Sequence, residues 1–541
     1  MQSSLSLNGG DWQLKGYFET AWRARGAHRP NRDPHGWMEA AVPGSVHDDL
    51  LRAGEIPDPY VSRNSLLVEW VADRTWVYRK SFTLAEERMS TRAQLIFEGI
   101  DYQANIYLNG ELLGMHRGMF SPAKFDVADR LIYGGENEIA VVIPPAPHPS
   151  DAAHKPYLNE GEDGTPRLIH IGLWDDVHIE FTDAARLDEV FLRPQLSADH
   201  TTADITVTLA VDAVEAVSVQ VVITFLSDVD VAAYERVRFN LTPGTQTLEI
   251  ALTLDQPRLW MPNGSGEPLL YSADVALLQP DPVMPDMPTY LDGRTFKLGL
   301  RSLEWKTAHE DEPGSLIVNG QPVRLHGWAW QPLDLLYGVP RPEKLRHLFE
   351  LLHGANVNLV RVASNGLIER EDFYQLADEY GIMVWQEFAL AGLRAANGSD
   401  LAPDFHALMM RESEAVVRRK RNHASLVLWG GCELGVPADH PWLAAMGEVI
   451  RRLDPDRRWL PTVKPMSASA YTLPPFLQSD AKSTAHRRLL KWTIDSRQIL
   501  PADPDNRQWE HRGAQLGSVG GVGRCFRENR RAGYAGSAPR R

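Results

Sequence analysis

Cysteine is nearly absent from this chain: Cys432 and Cys525 are the two in 541 residues. That excludes a disulfide framework and any metal site built from several thiolates. Long apolar runs are absent too, since none approaches the ~18 residues of a transmembrane helix. The opening MQSSLSLNGGDWQL shows no basic stretch followed by an apolar one, as a secretion leader would. A cytoplasmic protein without a membrane partner is the expectation. Positive charge is also in deficit. A net charge of −15 argues against a nucleic-acid partner, which would need a basic face, and suits small or neutral ligands. No grouping of His, Cys, Asp and Glu has metal-ligand spacing, and the Asp-Asp pairs at 48–49 and 175–176 read as solvated or structural. GSVGGVG (517–523) lacks the strand before it and the helix after it that a nucleotide loop needs. No metal and no cofactor is expected.

What is present is ample core and many indoles. Hydrophobic residues make up 43% of the chain, enough for ordinary globular packing, and there are 16 Trp. Exposed indoles would offer stacking platforms for sugar rings; buried ones are simply core. At ~150 residues per domain, the length suggests three or four domains.

Residues 1–185 read as all-β. Trp76–Phe82, Ala93–Phe97, Ala104–Leu108 and Glu138–Ile143 are short β-branched and aromatic runs divided by turn signals. Asn109-Gly110 between two of them predicts a hairpin. The spacing suggests a sandwich or jelly roll. Residues 187–298 alternate with period two in ADITVTLAVD and VSVQVVITFL, giving a second sandwich of immunoglobulin-like size without its Cys pair. From 300 the pattern becomes strand and helix in turn. LIVNGQPVRLHGW is a hairpin leading into a strand. Then come a helix at Glu343–His353, a strand at Val357–Val362, a helix at Glu371–Tyr380, a strand at Ile382–Trp385, a helix at Phe405–Lys420 and a strand at Leu426–Trp429. This alternation predicts a parallel sheet, most naturally a TIM-type barrel over 300–505. Residues 511–541, rich in Gly and Arg, read as a disordered tail.

The stretch with chemical content is NHASLVLWGGCE (422–433). It is a buried-type strand, two glycines, then a carboxylate. At the carboxyl end of a barrel strand Glu433 would stand where such folds do chemistry. Apolar surroundings would raise its pKa toward that of a general acid. A strand that ends in a solvated Glu satisfies the same pattern.

The chain resembles glycoside hydrolase family 2, on its β-mannosidase-like side. The resemblance rests on VPGSVHDDLLRAGEIPDPY (42–60), WVYRKSF (76–82), LIFEGIDYQANIYLNGELLG (95–114), PRLIHIGLWDDVHI (166–179), RVASNGLIEREDFYQLADEYGIMVWQEF (361–388) and NHASLVLWGGCE, in family order up to about residue 465. It implies a jelly-roll sugar-binding domain, an immunoglobulin-like sandwich and a catalytic (β/α)8 barrel. It also implies a retaining glycosidase with two carboxylates about 5–5.5 Å apart, acting on β-linked terminal sugars. Glu433 matches the family acid/base after the fourth strand. Arg361, ending the second, matches an arginine that orients the nucleophile; a structural ion pair is its plainer role. Trp328, Trp385 and Trp429 are candidate walls of the sugar subsite, or core.

Three departures from the family pattern stand out. Cys432 occupies the place of an Asn whose amide would hydrogen-bond the sugar 2-hydroxyl, and a thiol is a poor donor. GEDGTPR (161–167) and ASNG (363–366) lack the tryptophans with which β-mannosidases reach the sugar. The best match to the strand-seven nucleophile is Asp480 in FLQSDAKS (476–483), followed by DNRQWEHRGA (505–514), yet only residues 434–479 separate it from Glu433. Three β/α steps need more chain than that. Strand five fits RRWLP (457–461) and no strand six is readable, so an incomplete barrel is expected. The alternative to an enzyme is a catalytically impaired carbohydrate-binding protein on the same scaffold. The sugar, the linkage and the oligomeric state are not encoded in any legible motif.

Overall fold

The computed structural model describes residues 3–30, 35–147, 155, 168–306, 315–389, 403–432, 440–462 and 491–492, except positions 229, 282, 285, 286 and 365. Period-two alternation and tight turns build the N-terminal half. A six-stranded antiparallel sheet runs in the order Met38–Val42, Gly9–Tyr17, Thr75–Leu84, Gly135–Ile143, Gln103–Leu108, Glu111–Arg117. A four-stranded sheet runs Ser3–Ser6, Val177–Thr182, Arg92–Phe97, Ala123–Asp126. Together they enclose Trp12, Trp76, Tyr78, Phe97 and Phe181. Asn109 and Gly110, at φ 52° and 84°, form the predicted hairpin turn, which needs positive φ at both central positions.

The all-β expectation for this segment needs correcting for short helices at Ala21–Ala24, Val46–Arg52 and Asn64–Leu67. Ser45 caps the longest, its side chain accepting from the Asp48 amide at 3.1 Å, and Asp48 and Asp49 lie in the first turn, where the helix dipole favours anions. Asp49 is buried, accepts from the Ala41 amide and pairs with Arg52. It is structural, as one reading of the Asp-Asp pair allowed.

The second sandwich packs the sheet Ala185–Leu196, Thr202–Ala213, Gly244–Asp255 on the sheet Val231–Leu241, Val217–Leu226, Tyr271–Gln279, Thr289–Leu298. In Thr202–Ala213 every second residue, Ala203, Ile205, Val207, Leu209, Val211 and Ala213, is buried. Burying a Val, Leu or Ile contributes about 1.5–3 kcal/mol. A one-residue slip would turn the whole set to solvent, which fixes the register.

The C-terminal half alternates as expected: β1 (Gly327–Trp330), α1 (Pro342–Gly354), β2 (Leu359–Val362), α2 (Glu371–Tyr380), β3 (Met383–Glu387), α3 (Pro403–Lys420), β4 (Leu426–Cys432), α4 (Pro441–Leu453), β5 (Arg458–Thr462) and β6 (Lys491–Trp492). The sheet order is β5-β4-β3-β2-β1-β6. β1 to β5 are parallel, and β6 is antiparallel to β1. β5 contains the RWLP expected of strand five. Among the described residues no pairing joins β5 to β6, so the five parallel strands are seen as an open run. Helix residues such as Phe349, Phe373, Met409 and Met446 cover one face of this sheet.

Buried polar contacts weld jelly roll to barrel. Glu412 on α3 accepts from the amides of Met119 (2.8 Å), Phe120 (2.7 Å) and Ser121 (3.1 Å), and from the Ser121 hydroxyl. Tyr337, after β1, donates to Asp101 at 2.9 Å, and Asp101 also holds the fully buried Lys155 at 2.7 Å. Among the described residues, no helix is long and apolar enough to cross a membrane and no group of side chains could hold a metal ion.

Candidate active site

Side chains of a strand alternate between faces, so each barrel strand divides its residues between the helices and the opposite side. On β2, Val360 and Val362 join the helix-side core, while Leu359 joins the other core. On β3, Val384 faces the helices, as does Gln386, whose side chain accepts from Tyr374 of α2 at 2.7 Å. Trp385 and Glu387 therefore share the opposite face with Arg361, which lies in register with Trp385.

There the three meet. Arg361 Nε donates to Glu387 Oε1 at 2.6 Å, and the Ser364 amide donates to Glu387 Oε2 at 2.8 Å. The guanidinium carbon lies 4.9 Å from the Trp385 ring centroid. Arg361, Trp385 and Glu387 are all almost fully buried. β4 passes directly beside them. A Cβ on Gly430 would come within 2.5 Å of Glu387 Cγ and 2.7 Å of Trp385 Nε1, and one on Gly431 within 2.1 Å of the Pro461 carbonyl. The paired glycines of NHASLVLWGGCE thus let β4 lie close to the Glu387–Arg361 pair on one side and to β5 on the other.

The candidates that sequence placed in one site do not all converge. Arg361 and Trp385 do. Trp429 lies on the helix side, stacked on Phe388 with centroids 5.5 Å apart, its Nε1 donating to Asp454 Oδ2 at 2.7 Å. Trp328 is in register with Val360 and packs against the same helix-side core. The backbone of Cys432 pairs with Thr462. Glu433, Asp480, GEDGTPR, FLQSDAKS, DNRQWEHRGA, GSVGGVG and the 511–541 tail lie outside the described residues.

Sequence reasoning passed over Glu387. Its signal was available, because VWQE is an apolar strand ending in a carboxylate, the pattern that drew attention to Glu433. Glu369, after β2, is a further carboxyl of interest. Burial lifts its pKa to about 7, against the hydrogen bond from Trp330 Nε1 at 2.8 Å. It lines a cavity of about 10 Å³ with Trp174, Asp175 and Arg419, which places it at the contact between jelly roll and α3.

The chain can be set beside known proteins. Residues 22–175 match the glycosyl hydrolase 2 galactose-binding domain-like family, 185–287 match glycosyl hydrolases family 2, and 310–468 match the glycosyl hydrolases family 2 TIM barrel domain. Beta-mannosidase B of Thermothelomyces thermophilus is 30% identical over 440 residues, which is 76% of this chain and 48% of that protein. Beta-mannosidase B of Aspergillus terreus is 29% identical over 442 residues, 76% of this chain and 50% of that one. The crystal structure of a beta-D-mannosidase from Dictyoglomus thermophilum superposes with TM-score 0.73 at 30% identity, covering 87% of this chain and 58% of that chain. An exo-chitosanase from Amycolatopsis orientalis, at 19% identity and TM-score 0.72, shares the fold over 89% of this chain and 57% of its own. The chain spans about half the length of the curated relatives it matches. With all three parts of the family's architecture matched in order along most of its length, the chain belongs to glycosyl hydrolase family 2 and is β-mannosidase-like within it.

Proposed function

We propose that the protein is a retaining glycoside hydrolase that cleaves β-linked, non-reducing terminal sugars. The observation that carries this reading is the buried Arg361–Glu387 pair at the carboxyl ends of β2 and β3, with β4 running past it toward Glu433. In a parallel β/α sheet those ends are where substrates bind. Glu433 is assigned as the acid that protonates the leaving oxygen and then the base that activates water. Arg361, fixed by Glu387, is assigned to orienting the nucleophile, and Trp385 to the floor beneath it. Asp480 is the assigned nucleophile. It is one methylene shorter than the family Glu, and a misplacement near 1 Å can lower a rate ~10²-fold. The kinship with proteins named beta-mannosidase supports mannosides as the first substrates to try, although the tryptophans of the family's sugar loops are missing.

The test is hydrolysis of aryl β-glycosides by the purified chain, β-mannosides first. Turnover that disappears in Glu433→Gln, with binding of the sugar retained, supports the assignment. Sugar binding without turnover in the unaltered chain would overturn it in favour of a carbohydrate-binding protein. A measured Glu433–Asp480 carboxyl separation well beyond 10 Å would remove Asp480 from the pair.

A further inference from the structure

At the opposite end of the same strands lies a cavity of about 390 Å³. It opens between the sandwich strand Ala185–Leu196, the connection 298–303 and the segments leading into β4 and β5. Its size falls among small-molecule sites, which favour domain junctions. Four arginines line it, Arg193, Arg301, Arg421 and Arg457, with a single carboxylate, Asp456.

The charges there do not balance. Arg193 is matched by Asp456 at 2.7 Å, and Arg457 by Asp454 at 2.7 Å. Arg421 shares Glu189 with Arg418, which in turn shares Glu414 with Arg452. Arg301 has no ion-pair partner among the described residues. Its Nε and one terminal nitrogen donate to the carbonyls of Ala424 and Leu426. Burial, reinforced by the Arg457 charge, holds its pKa down at about 9. Guanidinium groups thus outnumber carboxylates in a chain whose net charge is −15.

We propose that this cavity binds a small oxyanion carrying two charges, a phosphoryl group in the first instance. Tetrahedral oxygens suit the forked donors of several arginines. A dianion would neutralise the excess that Arg301 and the Arg418–Arg421 group leave. Arg301 and Arg457 both donate to the Leu426 carbonyl at 2.6 Å, so the anion would sit under the first residue of β4.

The experiment is thermal unfolding of the full chain, titrated with inorganic phosphate against chloride at matched ionic strength, with glucose 6-phosphate as a parallel arm. The expected result is a melting temperature that rises and saturates as one-site binding requires. Asp456→Asn removes the competing carboxylate and shifts the half-saturation point to lower phosphate. Arg301→Met abolishes the saturable part. A stronger response to the ester than to phosphate identifies a phosphorylated metabolite as the ligand; an equal response identifies the free ion. A rise that never saturates and is the same in Asp456→Asn is the general effect of an excluded anion and overturns the proposal. Should Arg301→Met fail to fold, calorimetric titration of the unaltered chain decides, since an absence of saturable heat overturns it equally.

Discussion

Arg361 and Glu387 stand on adjacent parallel strands and bond Nε to Oε1 at 2.6 Å, with both side chains shut away from solvent. Taking two charges out of water is costly, and good geometry with further hydrogen bonds is what offsets it. Here the second carboxylate oxygen is occupied by the Ser364 amide, and the cation lies over the Trp385 ring. Such a pair is poor value for stability compared with apolar residues of the same size. It holds a guanidinium in one orientation at the end of a barrel strand.

Replacing Glu387 should therefore harm both stability and turnover. Glu387→Gln breaks the buried ion pair with Arg361, and removal of one partner of such a pair costs about 3–5 kcal/mol. Urea unfolding at neutral pH reads this directly. An unchanged midpoint would mean that Arg361 is held by other groups.

Trp429 is expected to behave as core. Trp429→Phe loses the bond to Asp454 and should lower stability by about 1–3 kcal/mol while leaving KM for an aryl glycoside unchanged. Trp385→Phe, on the Arg361 face, should change KM or kcat. Similar kinetics from the two variants would place both rings in one role.

Much of the architecture was legible because period and turn chemistry are local. Asn109-Gly110 and the alternating Thr202–Ala213 strand encode their own structure. α4 was legible as well: Pro441 opens it, and Leu443, Met446, Ile450 and Leu453 recur at helical spacing. It lies between the strand at Leu426–Trp429 and RRWLP, and the expectations from sequence do not include it. The division of the tryptophans was not legible. Barrel strands are apolar on both faces, so nothing local says which indole meets the helices. A register shift between β3 and β4 at Val384/Trp385 settles the matter, and that is long-range information. The pairing of Glu387 was hidden for the same reason, because Arg361 lies on another strand, although the VWQE pattern itself was there to be read.

His423 gives the chain a dependence on alkaline pH. The imidazole sits between Asp378 (Nδ1 to Oδ2, 2.6 Å) and Glu371 (Nε2 to Oε1, 2.9 Å). Burial alone would lower its pKa, but the two carboxylates outweigh burial and raise it from 6.5 to about 9. A pKa raised by folding means stability that is fully present below about 6.5 and is lost as pH climbs through 9. Urea midpoints of the unaltered chain and of His423→Gln, taken at about pH 6 and about pH 9.5, should differ widely at the first and converge at the second. A constant difference would show that the imidazole is not charged in the folded chain.

Position 432 tests the activity from the other side. β4 pairs Cys432 with Thr462 of β5, so its backbone is fixed by the sheet and a change of side chain leaves the strand in place. If the protein is a family 2 glycosidase, Cys432→Asn supplies the amide that the family uses against the sugar 2-hydroxyl. Contacts of that kind strengthen in the transition state and are worth several kcal/mol. At 1.36 kcal/mol per factor of ten, kcat/KM on aryl β-mannosides should rise by at least about tenfold. The gain should fall mainly in kcat, because a contact made chiefly in the transition state does little for ground-state binding. A gain that comes only from a lower KM, or no gain at all, would mean that the sugar is held from elsewhere and that Cys432 does not limit the reaction.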